Sequence, residues 1–282
     1  LIRLVLNADD LGLAPALTRR VLDLRSRGHV SDVSVLAGGR AAREALDGLV
    51  ARRVVAAGVH LSLVGGDRPL APAEKVPSLL SGGVFRGHWS RVLAALAAGR
   101  IRAAEIEREW EAQVAHVAAR GLAISHLDSH QHLHLHPALF PVAVRIAKTF
   151  RVPFLRAPHA ADPASASGGS PAVRASARLL GLLGGRGRAL LEEAGLREPP
   201  RVLGLAEAGR MTEKSLVRLV GTLPAGDYEV VLHPGDEDDV TMSTYRWGYA
   251  WREESDALAS PAVAAAVAAA GAHVVSFAEL AS

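Results

Sequence analysis

The 282-residue chain contains no cysteine. That excludes a disulfide framework, a thiolate metal site and a thiol nucleophile. Aromatic residues make up only 4% of the chain, too few to build platforms on which nucleobases stack. Lysine occurs only at Lys75, Lys148 and Lys214, and the other basic residues are arginines scattered along the chain. With a net charge of only +3, they read as a solvated surface, and no nucleic-acid partner is expected. No uncharged apolar run reaches the roughly 18 residues of a membrane-spanning helix. The alanine-rich stretch Pro261–Gly271 is far too short, so no integral membrane segment is expected. Leu1–Leu6 lacks a basic start, a long apolar centre and a cleavage site, so a signal peptide is not expected. The expected location is cytoplasmic. The chain also lacks a GxGxxG or GxxxxGK(S/T) phosphate loop and a GxSxG nucleophile elbow.

What is present is a steady alternation of short apolar runs and longer helical patterns. Strands are expected at Leu4–Asn7, Val30–Leu36, Gly58–Leu63, Ala123–Ser129, Val152–Arg156, Val202–Leu205, Tyr228–Leu232 and His273–Phe277. Between them, helices are expected at Pro15–Arg27, Ala41–Arg52, Ala103–Arg120, Pro137–Phe150, Ala172–Ala194, Thr212–Thr222 and from Pro261 to Ala270. In the third of these, Ile106, Trp110, Val114 and Val117 fall on one apolar face. Pro69–Gly87 reads as an irregular insertion and Ala160–Pro171 as a mobile loop, the centre of a flexible insertion near 157–175. A hydrophobic content of 49% is enough for a sizeable core. The pattern predicts one α/β domain over residues 1–282, with about seven parallel strands closed or nearly closed into a β/α barrel. An open doubly wound sheet is the competing arrangement. The sequence leaves a homo-oligomer open.

In such folds, chemistry gathers at the C-terminal ends of the strands. The polar residues fall there. Asp9 and Asp10 end the first strand, in NADDLG. His60 lies in GVHLSL. The stretch SHLDSHQHLHLHP, residues 125–137, follows a later strand, and LHPGDEDD, residues 232–239, follows another. Arg156 ends the strand between these two. Five of the twelve histidines lie between His126 and His136. Imidazole and carboxylate together suit a first-row divalent metal. The spacing admits several choices. His130 and His132 share a side on a strand, and His130 and His134 share a face on a helix. Pro137 disfavours a helix at His136, so the segment reads as strand end plus loop. There, one or two histidines reach a metal, and the others line the cleft or bond the backbone; the roles of His134 and His136 stay open. The plainer readings are a strand histidine for His60, a turn residue for His233 and a helix cap or Asx turn for Asp9 and Asp10. For Asp236, Glu237, Asp238 and Asp239 the plainer reading is a solvated loop.

The four segments NADDLG, GVHLSL, HLDSHQHLHLHP and VVLHPGDED, in that order, resemble the YdjC-like family of carbohydrate deacetylases, which includes chitooligosaccharide deacetylases. The resemblance runs from Leu1 to about Leu280 and is weakest over Ala160–Ala194. GLAEAGRMTE, residues 204–213, resembles the branch associated with hopanoid biosynthesis, which acts on a lipid-linked N-acetylated sugar. HLDSHQH is closer to the oligosaccharide branch. Leu11 stands where the family often has Phe, a conservative apolar change. The resemblance implies a deformed β/α barrel and one divalent metal, Zn or Mg, held by Asp10, His60 and His130. It implies Asp9 as catalytic base and His233 as general acid. Asp128, His132 and Arg156 would support the ligands or face the substrate, with Arg156 at a strand end in the substrate cleft.

Residues and resemblance meet on one mechanism: a water activated by the metal and Asp9 attacks the acetyl carbonyl of an N-acetylated amino sugar, and His233 protonates the amine. Metal-dependent phosphoester hydrolysis is the rival enzyme reading. A non-catalytic metal-binding protein that uses the histidine cluster is the third.

Overall fold

The computed structural model describes residues 1–160, 170–236, 245 and 247–282. The expected loop at 160–171 thus lies largely outside the described residues, as do Glu237, Asp238 and Asp239. In chain order the elements are β1 (Ile2–Leu11), α1 (Pro15–Ser26), β2 (Asp32–Val35), α2 (Ala42–Ala51), β3 (Ala56–Leu61), β4 (Leu80–Ser81), β5 (Val84–Phe85), α3 (Trp89–Ala97), α4 (Ala103–Ala118) and β6 (Ala123–Ser129). They continue as α5 (Phe140–Thr149), β7 (Phe154–Leu155), α6 (Pro171–Glu193), β8 (Arg201–Leu203), α7 (Glu213–Val220), β9 (Gly226–Leu232), α8 (Trp251–Leu258), α9 (Pro261–Ala269), β10 (Ala272–Val274) and α10 (Phe277–Ala281).

Seven strands form a parallel sheet in the order β7-β6-β3-β2-β1-β9-β8, and β10 adds to the start of β1. β1 is the centre: β9 runs along Ile2–Ala8, and on its other side β10 pairs with Ile2–Leu4 and β2 with Asn7–Leu11. Its long apolar run is what a strand buried on both faces requires. The sheet is curled into an incomplete barrel, as hydrogen bonds across its interior show. Ser34 of β2 reaches His126 and Asp128 of β6, which is not its neighbour. Arg156, just past β7 at one edge, reaches Asp9 of β1 and Glu229 of β9. Beyond the sheet, the Arg197 amide donates to the Pro153 carbonyl at 3.0 Å and ties the two edges together. An open doubly wound sheet does not make such contacts.

The barrel floor is closed by α10. Its Phe277 ring stacks on His126 at 3.9 Å and packs with Val5, Phe154 and Leu280. The expected strand His273–Phe277 is therefore shorter, because Ser276 and Glu279 form a reciprocal capping box that starts a helix. α3 and α8 were not expected. The insertion after β3 holds a hairpin, β4 and β5, turned by Gly82 and Gly83, both at positive φ. It is fastened by a second face of α4: the Glu109 carboxylate accepts from the Leu70 and Ala71 amides, and the Glu105 carboxylate from Ser78. The first face is as expected, with Ile106, Trp110, Val114 and Val117 fully buried. Among the described residues no helix is long and apolar enough to cross a membrane.

Candidate metal centre and active site

Adjacent residues of a regular strand point to opposite faces. Asp9 and Asp10 nevertheless both line one cleft at the C-terminal rim. The cause is a bulge. Ala8 pairs with Val33 and Leu11 with Val35, so β1 spends one residue more than β2 over this step. Asp10 absorbs it with a left-handed backbone, φ 61°. Neither acid caps α1, whose N-cap is Ala14 without a side-chain bond.

Asp10 faces two histidines. His130 Nδ1 lies 2.7 Å from its Oδ1 and His60 Nε2 lies 3.2 Å from the same atom. All three side chains are buried, and their donor atoms lie within 4.8 Å of one another. His60 is fixed from behind: its Nδ1 lies 2.8 Å from Asp128 Oδ1. A carboxylate behind the far ring nitrogen is the support that metal-binding histidines commonly receive. Burial opposes charge on Asp10, yet His130 and His60 override it and hold the carboxyl well below its usual range. Burial likewise opposes charge on His60, but Asp128, Asp9 and Asp10 raise its pKa well above 6.5. The surrounding carboxylates thus favour positive charge at this point.

A different layer lies beneath. The buried Arg156 guanidinium makes two parallel bonds of 2.7 Å to Asp9. It also meets Asp128 Oδ2 at 2.7 Å and Glu229 Oε1 at 2.5 Å. Asn7 Nδ2 donates to Asp9 Oδ1 at 2.8 Å and to Ser34 Oγ at 2.9 Å. Burial lifts the Glu229 carboxyl to about 7 against the pull of Arg156. Two further groupings of donor atoms occur among the described residues, Asp9–His60–Asp128 and His126–Asp128–Glu229. Each contains two carboxylates already paired with Arg156, whose charge repels a second cation. Asp10–His60–His130 contains none, and two imidazoles with one carboxylate are an ordinary donor set for a divalent first-row ion.

The histidine cluster follows neither strand nor helix periodicity. After His130 the chain reverses through Gln131 and His132, both left-handed at φ 55° and 53°. Such residues are costly unless their surroundings fix them. Here Ser129 Oγ accepts from the His134 amide and lies 2.6 Å from His134 Nδ1, while His134 Nε2–H donates to the Arg156 carbonyl at 2.8 Å. Burial lowers His134 to about 4, so it is a neutral brace. His132 does not join His130 at the metal group. It lines the cleft with a buried Nδ1 that has no partner among the described residues, and burial with nearby positive charge lowers its pKa well below 6.5. His136 Nδ1 accepts from the Ala138 amide.

His233, at the end of β9, completes the rim. Its amide donates to the buried Glu254 carboxylate at 2.6 Å, and its ring meets Tyr249 edge-on at 5.0 Å. Its Nδ1 is buried without a partner among the described residues, and burial lowers its pKa despite Asp9 and Asp10. The cleft of about 660 Å3 has Asp9, Asp10, His60, His130, His132 and His233 at its base. Trp247 and Tyr249 stand on one wall and residues of α6 on another. Arg156 and Asp128 do not line it. Of the two places expected for Arg156, the cleft is corrected and the supporting position remains: its guanidinium is wholly buried under Asp9, where three carboxylates surround it. Sequence reasoning missed Asn7, Ser34, Glu229 and Glu254. Glu229 had a signal, an acid in the middle of an apolar strand that is buried on both faces.

Comparison with known proteins agrees with this arrangement. The sequence profile of the YdjC-like protein family matches residues 3–269. A mouse protein named carbohydrate deacetylase is 31% identical over 245 residues, covering 83% of this chain and 78% of that protein. A Brevibacillus brevis protein of the same name is 32% identical over 152 residues, covering 54% of this chain. The match spans only 58% of the Brevibacillus protein's length. A crystal structure from Enterococcus faecalis, of a protein described as a candidate cellobiose-phosphate cleavage protein, superposes with a TM-score of 0.78. It covers 99% of this chain and 98% of its own at 23% identity, which bears on the fold alone. A family match over nearly the whole length, on a barrel that gathers the four motifs at one rim, gives one conclusion: the chain belongs to the YdjC-like family.

Proposed function

We propose that the protein is a metal-dependent hydrolase that removes the N-acetyl group from an N-acetylated amino sugar. The observation that carries this reading is the buried Asp10–His60–His130 group at the base of an open cleft, with Asp9 fixed beside it. The names of the mouse and Brevibacillus relatives support the substrate class. Asp10, His60 and His130 would hold one divalent ion, with zinc favoured by the donor set and magnesium as the alternative. Such an ion supplies Lewis acidity, which makes water a stronger acid and polarises a carbonyl.

The remaining roles belong to the chain. Asp9 accepts a proton from the attacking water. Its two oxygens are held by Arg156 and Asn7, so the carboxylate does not swing away, and orientation of this kind lowers the barrier. Asp128 keeps the His60 ring in place through Nδ1 and so directs Nε2 toward Asp10. His233 donates a proton to the departing amine. Burial lowers its pKa, so it rests neutral and must first take up a proton, the one released by the attacking water being available through Asp9; the Glu254 bond to its amide fixes where it stands. His132 and the Trp247–Tyr249 wall face the sugar.

Elemental analysis, combined with acetate release from N-acetylglucosamine oligomers and N-acetylated glycolipids, tests this reading. One divalent ion per chain with acetate release is expected. Two ions per chain with phosphate release from phosphoesters favours the phosphoesterase reading. Several weakly held ions without any acetate favours metal sequestration.

A further inference from the structure

Helix α6 turns part of its apolar surface toward water. Four of the five residues it buries are small, Ala177, Gly181, Gly184 and Gly187, and the fifth is Leu191. A side chain at Gly181 would meet the Ala160 backbone at 2.8 Å, one at Gly187 the Phe140 ring at 2.5 Å, and one at Gly184 the Pro158 carbonyl. Glycine here lets the helix lie directly on the 158–160 segment. Leu180 and Leu183 pack partly against the core, but further apolar bulk is turned outward. Leu179 and Leu182 are 56% and 53% exposed, and Val173 and Leu190 are also exposed. An ordinary surface helix shows the opposite pattern.

The charge beside the two leucines has one sign. Arg178 and Arg186 are exposed beside the two leucines, and neither pairs with an acid among the described residues. The helix carries no acid before Glu192. Its flank continues into the cleft, where Val173, Ala177 and Leu180 form one wall. Across the cleft mouth stands Trp89, 44% exposed at the start of α3. Outward leucines, flanking arginines and a tryptophan at the same rim are the composition of an interfacial membrane helix.

We infer that the outer face of α6 docks on a bilayer surface that carries anionic headgroups, with the cleft mouth beside the headgroup layer. A second copy of the chain fits less well. A two-fold interface centred on the leucines would set Arg178 and Arg186 against the same arginines of the partner, with the one acid of this face, Glu193, two turns beyond Arg186. An anionic lipid surface supplies the missing charge and the apolar depth together.

Co-sedimentation with sucrose-loaded vesicles tests this without any turnover assay, so its outcome is separate from that of the deacetylase reading. The intact chain should sediment with vesicles of phosphatidylcholine mixed with phosphatidylglycerol and hardly at all with phosphatidylcholine alone. Added salt should release it. The exposed double variant Arg178→Gln/Arg186→Gln should bind on the order of tenfold more weakly. Leu179→Ser/Leu182→Ser should lose binding by a similar or larger factor, with the thermal midpoint unchanged. The inference fails if the intact chain ignores both vesicle types, or if its binding survives high salt and both double variants. It also fails if the leucine variant turns a dimer into a monomer on gel filtration while no vesicle is bound, which would make the face a self-association surface.

Discussion

Two layers of the barrel interior, one residue apart in sequence, solve opposite problems. The lower holds Asp9, Asp128 and Glu229 around the Arg156 guanidinium, so its negative charge is offset in part from within the chain. The upper sets Asp10 against His60 and His130, with no arginine. Both are buried, both hold carboxylates at hydrogen-bond distance, and only the upper draws positive charge without containing a permanent cation. A layer that carries its own cation is a support. A layer that must obtain one is a candidate cation site. Adjacent aspartates therefore differ in kind: one belongs to the support and leans over the site, the other belongs to the site.

The sharpest way to break this comparison is to exchange the fates of the two acids. Asp10→Asn, which tolerates the left-handed backbone better than alanine, should lose both the metal and measurable turnover, read by elemental analysis after dialysis and by acetate release. Asp9→Asn should retain the metal and lower turnover by roughly 10²- to 10⁴-fold. If Asp9→Asn stripped the metal while Asp10→Asn kept it, the assignment of layers would be reversed. His233→Ala, outside both layers, should lower the rate about 10²-fold or more with the metal still bound; near-normal turnover would remove it from the mechanism.

Stability tests the lower layer. Arg156→Met leaves three buried carboxylates without their cation and should cost about 3–5 kcal/mol in urea unfolding, where loss of a partner from a buried pair is normally that severe. A near-neutral result would mean that the layer is not balanced by Arg156. The smallest effect is a pH slope. His134 titrates at about 4 in the folded chain against 6.5 unfolded. Below 6.5 the unfolded chain takes a proton that the folded chain refuses. Stability is therefore full above 6.5 and falls as the pH drops toward about 4, by on the order of 3 kcal/mol at ~1.4 kcal/mol per unit. His134→Gln should flatten that slope in denaturation curves taken across the window.

Much of this was legible in the sequence. The strand–helix alternation, the rim position of each motif and the apolar face of α4 follow from periodicities that tertiary structure preserved. What escaped did so for physical reasons. No period describes His130 to His136, because two consecutive left-handed residues reset the direction of each side chain. The bulge at Asp10 is a backbone event, and NADD reads equally well as a cap. Arg156 was placed at the right strand end, but the choice between support and substrate cleft stayed open, since only the curl of the sheet shows that Glu229 and Asp128 meet it beneath Asp9. α10 had its signal in plain view, Ser276 and Glu279 at capping-box spacing, outweighed by the β-branched run before it. α8 received no reading at all, yet it buries Glu254, whose carboxylate accepts from the His233 amide.

The bulge in β1 also makes strand length itself a functional quantity. Removing one residue between Ala8 and Leu11 would restore an unbroken ladder with β2 and a more regular barrel. It would also erase the frame change that lets two successive side chains share one cavity. Point substitutions vary the chemistry of this site; a single-codon deletion there would be a lesion of a different sort, one that leaves a well-formed fold with only one acid to do the work of two.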